Sequence, residues 1–393
     1  MNYYLMFEPG LIEKFKELKT PFYYYDLELL KRTLQEVKVH GIDKGFHVHY
    51  AVKANFNVEL LKIIRQSGMG VDCVSGPEIE RAVETGFSPS QIAFAGVGKT
   101  DDEIRTGLKH NIFSFNCESL QELEVLNGLA EKEGRTASVS IRLNPNVEAK
   151  THRYITTGLN ENKFGITIEK LPMLFSILPE LDHLKLTGIH FHIGSQITEL
   201  KPYYDLCEKV EIVQRLFEKE GHKLQHINVG GGYGINYLEP DAEPIPDFKA
   251  FFQVFEENLT LRKNQQLHFE LGRSVVGQCG SLISRVLYIK EGLETNFAVL
   301  DAGMTELIRP ALYQAMHRVD SLTSNMSPKM YDVVGPICES SDTFRQGVWL
   351  PELRRGDLVA IRSAGAYGEV MSSGFNLRER IRSYYSDFAK STL

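Results

Sequence analysis

Phe46-His47-Val48-His49-Tyr50-Ala51-Val52-Lys53 is a run of aromatic and β-branched residues that ends on a cation and passes at once into Ala54-Asn55. Such residues favour a pleated strand, so the stretch predicts a strand over 46–52 with Lys53 where it leaves a core. An ammonium that loses hydration there has a lowered pKa and becomes a usable amine nucleophile. That is what a Schiff-base lysine requires. The bland alternative is a lysine capping a strand in solvent, since lysine is rarely buried.

Outward from this strand, β-type runs alternate with amphipathic stretches as far as residue 271. The expected strands are Phe46–Val52, Met69–Ser75, Ile92–Ala95, Ile112–Asn116, Ala137–Leu143, Leu186–His192, Leu224–Val229 and Leu267–Leu271. Helical segments are expected between them at Val58–Gln66, Pro77–Glu84, Leu120–Lys132, Tyr203–Lys219 and Phe248–Leu261. Ser119 with Glu122 has capping-box spacing, and Asp101-Asp102-Glu103 puts negative charge in a first turn, as the helix dipole favours. Eight strands in this rhythm predict a parallel (β/α)8 barrel over residues 25–271, with an open doubly wound sheet as the competitor. After residue 272 the runs Leu282–Ile289, Phe297–Leu300, Tyr331–Val334 and Leu358–Ile361 are separated by turn signals. They predict a β-sandwich or Greek-key-like domain, to which residues 1–24 are added because Pro21–Asp26 is strand-like and precedes the barrel.

The chain has 393 residues, a formal net charge of -7, 42% hydrophobic and 24% charged residues. Those values suit a globular protein of two domains and argue against a nucleic-acid surface, which needs clustered Lys and Arg. Residues 1–10 lack the pattern of a secretory leader, and no run of about 18 apolar residues suggests a membrane span. Five dispersed cysteines without CxxC spacing suit reduced thiols in the cytoplasm.

The chemically unusual residues gather at the expected strand ends, where a βα barrel carries its active site. Lys53 ends the first strand, Asp72 falls near the end of the second, Arg142 and Asn144 end the fifth, and His190 and His192 the sixth. The seventh ends in Gly230-Gly231-Gly232 and the eighth in Glu270-Leu271-Gly272-Arg273. Consecutive glycines let backbone N–H groups approach an anion and form a nest; a tight turn needing positive φ is the alternative. His190 and His192 share one side of a strand, which fits a ring stacked on an aromatic cofactor better than a metal centre. No metal is expected. Glu270 could pair with Arg273, or face a ring nitrogen and hold it protonated. Lysine, phosphate nest, stacking histidine and carboxylate together describe a site for pyridoxal 5'-phosphate.

With these residues the chain resembles the fold-type III, alanine-racemase-like pyridoxal phosphate decarboxylases. The matching motifs are Tyr50-Ala51-Val52-Lys53-Ala54-Asn55, Gly188-Ile189-His190-Phe191-His192-Ile193-Gly194-Ser195-Gln196, Asn228-Val229-Gly230-Gly231-Gly232, Glu270-Leu271-Gly272-Arg273, Gly335-Pro336-Ile337-Cys338-Glu339-Ser340-Ser341-Asp342 and Gly365-Ala366-Tyr367-Gly368. They run in family order across nearly the whole chain. Leu271 replaces a usual proline and Pro77 a usual glycine; neither removes a functional side chain.

The resemblance implies that Lys53 carries the cofactor covalently, His192 stacks on its ring and Glu270 pairs with its nitrogen. Asp72, Ser195, Gly231, Gly232, Gly272 and Arg273 would surround the cofactor, with Tyr367 closing over it. It also implies a homodimer with shared active sites, in which Cys338 is the proton donor and Glu339 lies near the substrate's distal ammonium, both from the partner chain. Arg273, Arg309, Tyr313 and Tyr367 would hold the substrate. Within the family the motifs are most similar to those of members acting on meso-2,6-diaminopimelate, which yield L-lysine and CO2. The alternatives are decarboxylation of ornithine, lysine or carboxynorspermidine, and a non-catalytic homologue. Racemases of this fold are expected to place arginine where Glu270 stands.

Overall fold

A computed structural model describes residues 7–147 and 163–389; part of the N-terminal stretch read for a leader, residues 1–6, lies outside the described residues. The chain separates into two units: one of residues 34–234 and 247–272, the other of residues up to 33, 235–246 and from 273 onward. In chain order the first strands are β1 (Phe22–Tyr25), β2 (His47–Ala51), β3 (Gly70–Cys73), β4 (Ile92–Phe94), β5 (Ser114–Cys117), β6 (Ala137–Asn144), β7 (Ile166–Thr167), β8 (Leu184–His190), β9 (His226–Gly231) and β10 (Gln266–Leu271). They are followed by β11 (Gly280–Glu291), β12 (Asn296–Leu300), β13 (Val319–Ser321), β14 (Pro328–Val334), β15 (Thr343–Pro351), β16 (Leu358–Ile361) and β17 (Arg382–Tyr385).

In the first unit β2, β3, β4, β5, β6, β8, β9 and β10 pair in parallel, in that order. The ring closes where β10 meets β2, His268 opposite His47 through Leu271 opposite Tyr50. The expected (β/α)8 barrel is therefore present, with the short β7 added beside the end of β6. Helix signals act locally. Thr100 caps the helix Asp101–His110 with both halves of a capping box. Ser119 accepts the Glu122 N–H at 3.1 Å, but the Glu122 carboxylate turns instead to Lys99 Nζ at 2.6 Å and the Glu118 N–H at 2.7 Å. A buried lysine outcompeted the second half of that box.

Period-two alternation aims the side chains. On β10, Phe269 packs edge-on against Phe252 and Phe255 of the helix Phe248–Asn258, each with centroids 5.0 Å away. His268 and Glu270 consequently point into the lumen. That lumen is polar, whereas branched aliphatic residues are usual in such barrels. Near the N-terminal strand ends His49 Nε2 lies 2.9 Å from His268 Nδ1, and Ser140 Oγ bridges His226 at 2.7 Å and Ser114 at 2.8 Å. Phe113 stacks on His268 with centroids 4.9 Å apart.

The second unit holds one mixed eight-stranded sheet, ordered β13-β16-β11-β12-β14-β15, with β1 joined to both β11 and β17. Pairings are antiparallel except β1 with β17 and β12 with β14. Tyr23 and Tyr25 of β1 are fully buried, with rings stacked 6.1 Å apart. Among the described residues no helix is long and apolar enough to cross a membrane.

Candidate active site

Lys53 sits just past β2, in the single turn Val52–Ala54. The Tyr50 hydroxyl donates to the Asn55 carbonyl at 2.9 Å and ties this turn to the strand. Gly272, at the end of β10, backs it closely: a Cβ there would stand 3.0 Å from Ala54 Cβ and 3.1 Å from Ala51 Cβ. The amine therefore projects from a rigid support, one-third exposed, and donates to Asp72 Oδ2 at 2.7 Å. Asp72 is wholly buried on β3. Burial, then the negative charge of Glu270, raise its pKa to about 6 despite the Lys53 ammonium. Its second oxygen, Oδ1, has no hydrogen-bond partner among the described residues.

Glu270 is the electrostatic centre of the upper lumen. Its Oε1 accepts from Asn228 Nδ2 at 2.8 Å and Asn116 Nδ2 at 3.3 Å, and its Oε2 faces His190 Nε2 at 3.0 Å. Burial alone would raise its pKa, but His190, by charge and hydrogen bond, with Lys53 and His192, holds the carboxyl well below its usual range. The expected alternative partner, Arg273, is not the one these contacts supply.

His192 lies two residues beyond the end of β8 and no longer follows the strand's alternation. Its Nδ1 accepts the Gly231 N–H at 3.3 Å, which leaves the ring proton on Nε2. Burial, then the nearby charges of Arg142 and Lys53, hold its pKa well below 6.5. The ring is neutral at neutral pH, a flat polarisable surface fit for stacking. Arg142 is itself held by Glu118 Oε1 at 2.8 Å and lies 4.7 Å over the Phe164 ring.

The glycine run answers to packing as well as to anion chemistry. Gly230 and Gly232 have φ of 69° and 89°. A Cβ on Gly231 would fall 1.6 Å from the Glu270 carbonyl oxygen, and one on Gly232 2.2 Å from that of Gly194. The Gly230 N–H donates to Asn228 Oδ1 at 2.9 Å. Two amides of the expected nest thus orient Asn228 and His192. Ser195 follows Gly194 in the loop after β8.

In the other unit a separate basic cluster forms. Arg273 donates to the Tyr237 hydroxyl and lies 4.8 Å over the Tyr367 ring. Tyr367 itself has φ of 56°, a left-handed conformation uncommon outside glycine. Arg309 is buried, 4.8 Å over the Tyr237 ring, and donates to His317 Nε2 at 2.8 Å. His317 can accept because its Nδ1–H is spent on the Arg362 carbonyl at 2.8 Å; burial, then Arg309, lower its pKa to about 3. Tyr313 ends the short helix Arg309–Tyr313. Cys338 and Glu339 stand exposed on the loop between β14 and β15. Asp342 shapes that loop by accepting the Ile337 N–H at 2.7 Å.

The barrel residues fit a pyridoxal group: an amine on a firm turn, a neutral imidazole, an obligate carboxylate and an orphaned buried oxygen at Asp72. Residues 29–277 match the family described as pyridoxal-dependent decarboxylase, pyridoxal binding domain. The chain belongs to the pyridoxal-dependent decarboxylases. It is 54% identical, over 96% of its own length and 98% of the relative's, to a diaminopimelate decarboxylase of Bacteroides thetaiotaomicron. It is similar to the crystal structure of diaminopimelate decarboxylase from Helicobacter pylori complexed with L-lysine, at TM-score 0.89 and 39% identity, covering 95% of this chain and 93% of that one. The corresponding structure from M. jannaschii has TM-score 0.88 and 33% identity, covering 95% and 89%. This decarboxylase is thus an amino-acid carboxy-lyase, and pyridoxal 5'-phosphate is its cofactor.

Asn116, His317 and Tyr237 escaped the sequence reading, and Asn228 entered it only inside a motif. Asn116 had one available signal: an inward position near the end of a barrel strand, shared with Glu270.

Proposed function

We propose that this decarboxylase converts meso-2,6-diaminopimelate to L-lysine and CO2, the last step of lysine biosynthesis. The observation that carries the substrate assignment is Arg309, a buried guanidinium fixed by a neutral histidine. Diaminopimelate differs from lysine by a second carboxylate, so its site must reward that group. A charge-assisted arginine contact is stronger than a neutral hydrogen bond and contributes roughly 2–4 kcal/mol of discrimination when desolvated. The name borne by relatives over nearly the whole chain supports the same substrate.

Bound pyridoxal phosphate supplies an electron sink for the pair left when the α-carboxylate departs. Lys53 would hold it covalently, and Asp72, 2.7 Å from the Lys53 amine, would exchange a proton with that amine. Glu270 would hold the ring nitrogen protonated, and His192 would cover one ring face. Ser195, Gly231, Gly232, Gly272 and Arg273 are assigned to the cofactor's phosphate side, with Tyr367. Arg273, Arg309 and Tyr313 are assigned to the distal carboxylate. We assign the Cα proton to Cys338 and the distal ammonium to Glu339, both supplied by the second chain of a homodimer through the β domain, residues 1–24 plus 272–393. The five unpaired cysteines suit a cytoplasmic enzyme.

Incubation of the pyridoxal phosphate-loaded protein with meso-diaminopimelate, with detection of lysine and CO2, tests the assignment. Ornithine, lysine and carboxynorspermidine are assayed beside it. Preferred turnover of any of those three, or no lysine from diaminopimelate, overturns it.

A further inference from the structure

Glu270 stands on β10, and each of its three side-chain donors comes from a different strand: Asn116 from β5, His190 from β8 and Asn228 from β9. A carboxylate offers about four lone-pair sites, so three are taken and one is left. Both amides are themselves oriented. Asn228 Oδ1 accepts the Gly230 N–H at 2.9 Å, and Asn116 Oδ1 faces Ser114 Oγ at 3.3 Å. Their NH2 groups therefore point at Glu270 and cannot flip without orphaning another polar group.

His190 differs from the two amides. It is 1% exposed, and its buried Nδ1 has no hydrogen-bond partner among the described residues. A buried ring nitrogen without a partner costs free energy, and here it leaves the imidazole a single polar contact, Glu270 Oε2. Among the described residues nothing else fixes its hydrogen-bonding role, whereas Nδ1 of His49 faces the Gln91 carbonyl at 3.2 Å and Nε2 of His226 faces Ser140 Oγ. An imidazole whose one bond is to a carboxylate must donate through Nε2, and a carboxylate ringed by donors must stay an acceptor.

We propose that His190 is a positioning residue, which, with Asn228 and Asn116, locks Glu270 as an ionised, acceptor-only carboxylate whose remaining lone pair faces the cofactor ring nitrogen. His190 touches no reacting atom and acts through Glu270. The proposal rests on the reading that Glu270 faces that nitrogen. Replacing the donor by an apolar side chain lets Glu270 bind a proton in its buried site, and the ring nitrogen then loses its anionic partner.

The test uses the full-length holoenzyme loaded with pyridoxal phosphate carrying 15N at the ring nitrogen. Wild type, His190→Leu and His190→Gln are compared by 15N NMR of that atom across pH and by steady-state kinetics. The wild type should show a protonated ring nitrogen. His190→Leu should shift the signal toward the neutral form, with kcat falling on the order of 10- to 100-fold and KM little changed. His190→Gln, which keeps a donor, should restore the wild-type signal. A protonated nitrogen in His190→Leu, with kcat within about twofold of wild type, overturns the proposal while leaving the Glu270 reading intact. A neutral nitrogen in the wild type overturns both. If His190→Leu does not fold, Asn228→Leu replaces it, since removing either donor must move the same signal; an unmoved signal overturns the proposal.

Discussion

Lys53 and Arg309 are the two residues on which the chemical reading turns. Lys53 is a lysine with a rigid turn behind it and a fully buried acid in front, and it is the residue proposed to carry the cofactor. Borohydride reduction of the holoenzyme should fix the pyridoxyl label on Lys53 alone; a peptide map with the label on another lysine would refute the assignment. Arg309 is held by His317, which in turn is held by a carbonyl, so the guanidinium has a defined direction. Arg309→Ala should raise KM for diaminopimelate by about 30- to 1000-fold, the equivalent of roughly 2–4 kcal/mol, with the Kd for pyridoxal phosphate nearly unchanged. Equal losses in both would mean that Arg309 is structural. The sequence pointed to Arg309 through its similarity to a family. It gave no hint of His317, which has no local signal and matters only because the fold sets it opposite a buried cation.

At the scale of elements, the run Gly230–Gly232 shows how one feature can satisfy packing and chemistry together. The Gly231 position faces the backbone of β10 at the level of Glu270, so any side chain pushes the two strands apart. Gly231→Ala should cost about 3 kcal/mol or more and weaken cofactor binding, seen as a lower urea midpoint and a raised Kd for pyridoxal phosphate. Gly128 makes the matched control. It lies inside the helix Leu120–Lys132, and an added Cβ meets nothing within 4 Å. Gly128→Ala should stabilise by about 0.5–1 kcal/mol. If both variants shifted the midpoint alike, the close approach at Gly231 would not be what fixes that glycine. Elements built on strong local alternation, such as β8 and β10, were legible in the sequence. β13, β15 and β17 were not, because Val319-Asp320-Ser321, the Arg- and Gln-bearing run Thr343–Pro351, and Arg382–Tyr385 gain their extended form from the strands they pair with.

On the scale of the whole molecule, the barrel's polar lumen sets its response to acid. His49 and His226 are buried neutral, and burial lowers their pKa values from 6.5 to about 4 and about 3. The unfolded chain binds these protons near pH 6.5 and the folded one does not, so stability is full above pH 6.5 and lost as pH falls through the folded values. Asp72 acts in the opposite sense: raised to about 6, it contributes most below its usual carboxylate pKa, and that contribution is lost as pH rises through about 6. His192, His268 and His317 add to the same loss, while Glu78, which burial raises to about 7, sides with Asp72. The histidines outnumber the acids, so Tm should fall between pH 6.5 and 4, and His49→Asn should make that fall shallower. A Tm constant across this window would show that the rings are not buried in neutral form. What the sequence alone determined was the βα rhythm, the glycine turns and the presence of a lysine and a carboxylate at strand ends, because periodicity and turn chemistry act over a few residues. Only the tertiary structure decided that Asn116, His190, Asn228 and Glu270 form one cluster. Barrel closure brings together side chains up to 154 positions apart, and whether a buried carboxylate stays charged depends on the donors that closure sets around it.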